Sequence, residues 1–279
     1  MSYLAHFPET LQIKIAFAQM LTLPMDEPIV EMNEETARDI NVIWNSIQAA
    51  ADLWHGNQNI RIPGKLIDRK EFWGDFAKSH EPKELPVLEK FMKEISGEGK
   101  IAIDLGCGNS PAVKFLLERK WHVIAVDYSQ PALDVLKAKN KAAIESGWLK
   151  IIEEDVSTYI PLEPVDLVVA ADIFSYIDPA RFRDTWTKVH NVFLKENGFL
   201  IGTFFRSICK TPRQMQEMNF LKEMGAWFLP DRRMVRPLLE QAGYEIKTCQ
   251  YRVDDPDMEQ KEQMCIQFVA EKKNSKFLQ

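Results

Sequence analysis

From residue 100 onward the chain alternates between two rhythms. Short, mostly apolar runs stand at Ile101–Leu105, 123–126, 151–152, Val165–Ala170 and 199–205, and several are followed by a segment whose apolar positions recur at helical spacing. Strands covered by helices on both faces read as continuous apolar runs, so this pattern predicts an α/β domain built on a doubly wound, mostly parallel sheet. The helix boundaries are also written in the chain. Ser110 and Pro111, Ser129 and Pro131, and Asp178 and Pro179 are cap and first-turn pairs. They predict helices from 111, from 130 to about 146, and from 179 through 194, the last closed by Asn197-Gly198. Asp231 caps a final helix ending at Ala242-Gly243. Two more strands, 244–253 and 264–270, follow with only the polar turn 254–263 between them. The total is seven strands.

Residues 1–69 have a different character and are expected to form an N-terminal helical extension to a domain spanning 70–279. After Asn33, with Glu34 and Glu35 in a first turn, apolar residues at Ile40, Ile43, Trp44, Ile47, Ala51 and Trp54 make one helical stripe ending at Gly56. Such stripes usually mark packing against a core. Leu11, Ile15 and Ala18 predict a shorter helix before Pro24. Residues 57–64 are polar, contain Pro63 and Gly64, and read as a hinge. A helix over 85–95 presents Leu88, Phe91, Met92 and Ile95. Residues 206–229 break the strand-helix alternation. They mix Arg206, Lys210 and Arg213 with Met215, Phe220 and Trp227, and their place after a strand's carboxyl end reads as a lid or substrate wall.

The candidate chemistry sits at the first two strand ends. In Asp104-Leu105-Gly106-Cys107-Gly108-Asn109, the two glycines permit a sharp turn and let a ligand approach bare backbone. The helix opened by Ser110 and Pro111 aims free N–H groups at the same place. Asp127 lies 23 residues after Asp104, near the offset at which an acid ending the second strand can hold ribose hydroxyls. Pro111 stands where a dinucleotide fingerprint has its third glycine, and no Gly-Lys-Ser/Thr triplet marks a P-loop. The turn resembles the first motif of class I S-adenosylmethionine-dependent methyltransferases, departing at Ser110, where many members have glycine.

That resemblance extends over about residues 70–273 and implies a last strand inserted antiparallel. It implies S-adenosylmethionine as cofactor and S-adenosylhomocysteine as product, with Gly106, Cys107 and Gly108 along the methionyl part and ribose. By the same resemblance Asp104 orients the glycine loop and, often through water, the cofactor's amino group, Asp127 meets the ribose hydroxyls, Asp155 with the Val156 backbone N–H meets the adenine, and Tyr128 is a further cofactor-binding candidate. Ala171 closes the cofactor site after the fourth strand. Phe72, Trp73, Tyr176 and Trp227 are the substrate-side candidates, and Asp172, Tyr176 and Asp178 are the candidates for a general base. The stretch 170–179 lacks the Asn/Asp-Pro-Pro-Tyr/Phe motif of nucleic-acid amino methylases and is closer to small-molecule methyltransferases.

Composition narrows this further. The 279 residues are 46% hydrophobic and 27% charged with a net charge of −6, ordinary for a soluble globular protein. Residues 1–98 carry 10 Lys/Arg against 16 Asp/Glu, leaving 25 of each in the rest, so no basic footprint for nucleic acid appears. No apolar run is long enough to span a membrane. Cys107, Cys209, Cys249 and Cys265 and the five histidines are scattered, which argues against a metal site and for reduced thiols in a cytoplasmic protein. The expected function is in-line methyl transfer to a small molecule, driven by positioning. The alternatives are a protein or RNA methyltransferase, or a non-catalytic binding module of the same fold.

Overall fold

The computed structural model describes residues 59–62, 65–80, 85–93, 95–205, 232–252 and 265–273, together with positions 41, 44, 221, 224–226 and 230. In chain order the elements are β1 Asn59–Ile62, β2 Lys65–Asp68, α1 Arg69–Ser79, α2 Pro86–Met92, β3 Ile101–Leu105, α3 Pro111–Glu118, β4 His122–Asp127, α4 Gln130–Lys139, α5 Lys141–Glu145, β5 Leu149–Glu153, β6 Val165–Ala170, α6 Pro179–Lys188, β7 Leu194–Phe205, α7 Arg232–Gln241, β8 Tyr244–Arg252 and β9 Cys265–Lys272. The main sheet runs β5-β4-β3-β6-β7-β9-β8. β3 to β7 pair in parallel, and β9 enters antiparallel between β7 and β8.

The alternation of side chains along each strand feeds two cores. On one face Ala102, Val123, Ala125, Val169, Ile201 and Val269 pack under α2, α3 and α4. On the other, Ile103, Val168, Ala170, Leu200, Phe204 and Phe268 pack under α6 and α7 around Phe182, Trp186, Leu238 and Leu239. The Trp186 indole N–H, buried here, donates to the Leu238 carbonyl at 3.3 Å and so ties α6 to α7.

Three boundaries depart from the pattern reading. Residues 59–62 and 65–68 pair as a β-hairpin with Ile62 opposite Lys65, where a hinge was expected. Each strand is only four residues long, a signal easily lost in the sequence. The helix from Ser129 breaks at Asn140, whose side chain donates to the Leu136 carbonyl at 2.9 Å. The helix from Asp178 ends at Lys188 and passes through a single π-helical turn, Val189–Phe193, straight into β7. Asn197, with φ +62, does not close that helix. It belongs to a bulge where the pairing with β6 jumps from Val165↔Leu194 to Leu167↔Phe199. Burial of Val189 and Phe193 brings the chain onto the sheet before the Asn-Gly pair is reached.

The N-terminal stripe touches the domain at Trp44. Its indole N–H donates to Gln241 Oε1 at 2.7 Å, and the Arg183 guanidinium lies 5.0 Å from the ring centre. The remaining stripe positions, and most of 206–229, lie outside the described residues.

Candidate active site

The carboxyl ends of β3, β4, β5 and β6 converge on one crevice, with the turn after β3 at its centre. Gly106 and Gly108 both have positive φ, +65 and +46. Their surroundings differ. A Cβ on Gly106 would come within 2.6 Å of the Ile173 side chain, whereas a Cβ on Gly108 would meet no atom within 4 Å. Gly106 is therefore small so that the loop after β6 can pack on it, and Gly108 faces open space. The Gly106 and Cys107 N–H groups donate to the Val126 carbonyl at 2.8 and 3.1 Å, which fastens the turn to β4. Ser110 caps α3 by accepting the Ala112 N–H at 3.1 Å.

Asp127, at the end of β4, accepts the Gly108 N–H at 2.9 Å and the Ser129 N–H at 2.8 Å, one on each oxygen. Burial of this carboxylate thus has a structural account without any ligand: it organises the glycine turn. Two carboxylate oxygens offer about four acceptor sites, so capacity remains for hydroxyl donors. Burial raises its pKa, against these backbone donors.

Asp104 is different. It is 1% exposed, and among the described residues no donor reaches its Oδ2. Burial pushes its pKa up to about 7, opposed by the Ser110 hydroxyl and reinforced by the nearby Asp127 charge. A buried carboxyl with an orphan oxygen is costly unless a donor arrives. An orphan buried carboxyl oxygen fits a ligand that brings a cationic donor.

Asp155 lies two residues past β5, is exposed, and accepts the Ser157 N–H at 2.7 Å, while Val156 beside it is buried. Lys188 Nζ donates to the Ser157 carbonyl at 2.6 Å, so α6 braces this loop. Tyr128 follows Asp127 with its phenol pKa raised by burial, and Lys70 Nζ lies 5.9 Å from the ring centre. Ala171 follows the last residue of β6 and is partly buried. Cys107 is 3% exposed with its thiol pKa pushed well up by burial, a packing residue and not a nucleophile.

Of the three general-base candidates, two carboxylates are engaged in structure and the third, a phenol, is shifted upward. Asp172 sits at φ +57, where a non-glycine residue is strained. Its N–H donates to Thr203 Oγ1 at 2.6 Å, the same hydroxyl donates back to Asp172 Oδ1, and Arg252 lies 3.5 Å from Oδ2. Asp178 caps α6 by accepting the Ala180 N–H at 2.8 Å. The Tyr176 phenol is raised by burial and by the Asp172 charge, the wrong direction for a base at neutral pH.

The substrate-side aromatics do come together. Trp73 meets Tyr176 edge-on at 5.2 Å and Phe72 at 5.1 Å, and Tyr176 meets Phe205 at 6.2 Å. Leu221, Met224 and Ala226 pack on this cluster. Trp227 lies outside the described residues. Arg69, Ser129, Ile173, Thr203 and Arg252 were not legible as site residues, because each acts through a partner far away in sequence.

Comparison with known proteins agrees with this geometry. A family model described as a methyltransferase domain matches residues 102–198. A probable thiol methyltransferase 2 of Arabidopsis thaliana is 25% identical over 168 residues, covering 57% of this chain and 70% of the relative. Among solved structures, the 1,6-didemethyltoxoflavin-N1-methyltransferase of Burkholderia thailandensis, with 1,6-didemethyltoxoflavin and S-adenosylhomocysteine bound, superposes with a TM-score of 0.51 at 15% identity, covering 90% of this chain and 94% of that one. An S-adenosylmethionine-dependent methyltransferase of Mesorhizobium loti has a TM-score of 0.54 at 16% identity, covering 67% and 96%. At such identities the solved structures speak for the fold.

Proposed function

We propose that the chain is a class I S-adenosylmethionine-dependent methyltransferase, in line with the methyltransferase-domain match over residues 102–198, and that it methylates a small molecule whose acceptor atom is nucleophilic without help from a protein base. The observation that carries this is the aromatic wall of Phe72, Trp73, Tyr176 and Phe205, flanked by base candidates that are already engaged. S-adenosylmethionine supplies an electrophilic methyl on a sulfonium. The chain's own residues bind and orient: Gly106, Cys107 and Gly108 offer bare backbone, Asp104 receives the amino group, Asp127 and Tyr128 take the ribose. Asp155, Val156 and Ala171 line the adenine and methionyl ends.

Holding donor and acceptor in line can lower the barrier by about 7 to 11 kcal/mol, so positioning suffices for an acceptor that ionises by itself. A thiol does so near neutral pH and is soft enough to attack a sulfonium carbon. The Arabidopsis relative's name favours that acceptor over an amine. The thiol of Cys107 fits a reducing compartment, and cytoplasmic residence is part of this reading.

Two assays test it in turn. Saturating S-adenosylhomocysteine at about 100 times Kd should stabilise the chain by about 2.7 kcal/mol, a Tm rise of roughly 5 to 10 °C for a protein of this size. No rise sinks the methyltransferase reading. A panel of small thiols, amines and phenols with radiolabelled S-adenosylmethionine should then show turnover on thiols. Turnover confined to protein or RNA substrates would overturn the small-molecule reading.

A further inference from the structure

The first turn of α1 is fastened on both sides of the crevice. On the β4 side the Ser129 hydroxyl donates to the Lys70 carbonyl at 2.9 Å. Gly74 packs so closely there that a Cβ would come within 2.4 Å of Pro131 in α4. On the β6 side the Arg69 guanidinium donates to the Tyr176 carbonyl at 3.4 Å and to the Gly225 carbonyl at 3.3 Å. β3 lies between β4 and β6 in the sheet. A segment fastened to the loops after both therefore crosses the glycine turn that follows β3.

The two fastenings are unequal. The β4 side combines a short hydrogen bond from a fully buried serine with close backbone packing. The β6 side is one side chain reaching two carbonyls at the long limit of hydrogen bonding, its own Nε buried without an acceptor among the described residues.

We propose that Arg69 is the clasp of a strap over the cofactor crevice: it holds the start of α1 to the Tyr176 turn and to Gly225, and its release admits cofactor and frees product. The inference rests on the methyltransferase reading above. Arg69 acts as a positioning residue, since by joining α1 to Tyr176 it also keeps Trp73 against that ring. Both hydrogen bonds leave the same guanidinium nitrogen, Nη2, so one terminal amino group joins the two carbonyls.

Surface plasmon resonance with S-adenosylhomocysteine on the full chain tests the clasp. Arg69→Ala should both bind and release the ligand faster, release rising about tenfold for the loss of two weak hydrogen bonds. Its ligand-free Tm should stay within about 2 °C of the parent. Arg69→Lys should fall between the two. Gly225→Ala should move the same way, because its Cβ would come within 2.6 Å of the guanidinium at a φ of +91, and it decides the matter if Arg69→Ala does not fold. Parent-like rates in Arg69→Ala and Gly225→Ala overturn the clasp while leaving the methyltransferase reading standing. Faster release with slower association also overturns it, since that is a damaged site and not an opened one. Failure of the parent chain to bind removes the reading underneath and the clasp with it.

Discussion

Asp104 is the residue whose chemistry is most exposed to test. With its folded pKa at about 7 and an ordinary value of 3.8, the folded chain keeps a proton that the unfolded chain has lost between those limits. The unfolded state then binds fewer protons, so stability contributed by this group is full below about pH 4 and is lost as pH rises to about 7. Asp127, shifted in the same direction, adds to the slope. Stability of the ligand-free protein, followed by urea unfolding across that window, should fall with pH, and Asp104→Asn should flatten the curve. A cationic donor placed on Oδ2 favours the charged carboxylate. Calorimetry at pH 6 in two buffers of different ionisation heat should therefore show proton release on S-adenosylhomocysteine binding, reduced in Asp104→Asn. Equal release in both proteins would remove Asp104 from contact with the amino group.

At the scale of the element, the strand-turn-helix unit β3-α3 separates two glycines that look alike in sequence. Gly106→Ala must place a methyl against Ile173 at positive φ, and is expected to lower stability by about 1 to 3 kcal/mol, read as a Tm fall. Gly108→Ala meets nothing in the protein, so it should cost only about 1 kcal/mol of backbone strain while weakening S-adenosylhomocysteine at least tenfold in titration. Stability loss and binding loss shared equally by the two variants would contradict the division. Ser110 shows why a third glycine is dispensable: it accepts the Ala112 N–H and caps α3 in a conformation that any residue can adopt. Element types were readable because apolar runs and cap pairs are local signals. Their ends were less so at Asn140 and Asn197, where a side-chain hydrogen bond and a bulge against β6 took the place of simple stops.

On the scale of the whole molecule, β7 and β8 reach back to shape the crevice. Thr203 on β7 and Arg252 on β8 hold Asp172 in its left-handed conformation, and so fix the loop that carries Ile173 onto Gly106 and Tyr176 onto Trp73. Thr203→Val leaves the Asp172 N–H without its partner, which should lower stability by about 1 to 3 kcal/mol in chemical denaturation. Asp172→Asn, which keeps the hydrogen bond to Thr203, should retain most of kcat with an unchanged pH profile. A loss of a hundredfold or more in kcat would restore Asp172 as a base. Among the described residues no helix is long and apolar enough to cross a membrane, and no cluster of His, Cys, Asp and Glu could hold a metal.

By itself the sequence determined the alternation of strands and helices, the glycine turn and the acids at the strand ends, because periodicity, caps and φ-permissive residues act over a few neighbours. Tertiary structure decided what those residues are free to do. Asp127 is already engaged by backbone donors, Asp172 and Asp178 are engaged in structure, and Asp104 alone of these acids keeps a buried oxygen without a donor among the described residues. It also decided that Arg69, an ordinary helix-start cation in the chain, meets Tyr176 and Gly225 across the crevice. Hydrogen-bond partners more than a hundred residues apart leave no local pattern to read; they exist only once the sheet has brought the loops together.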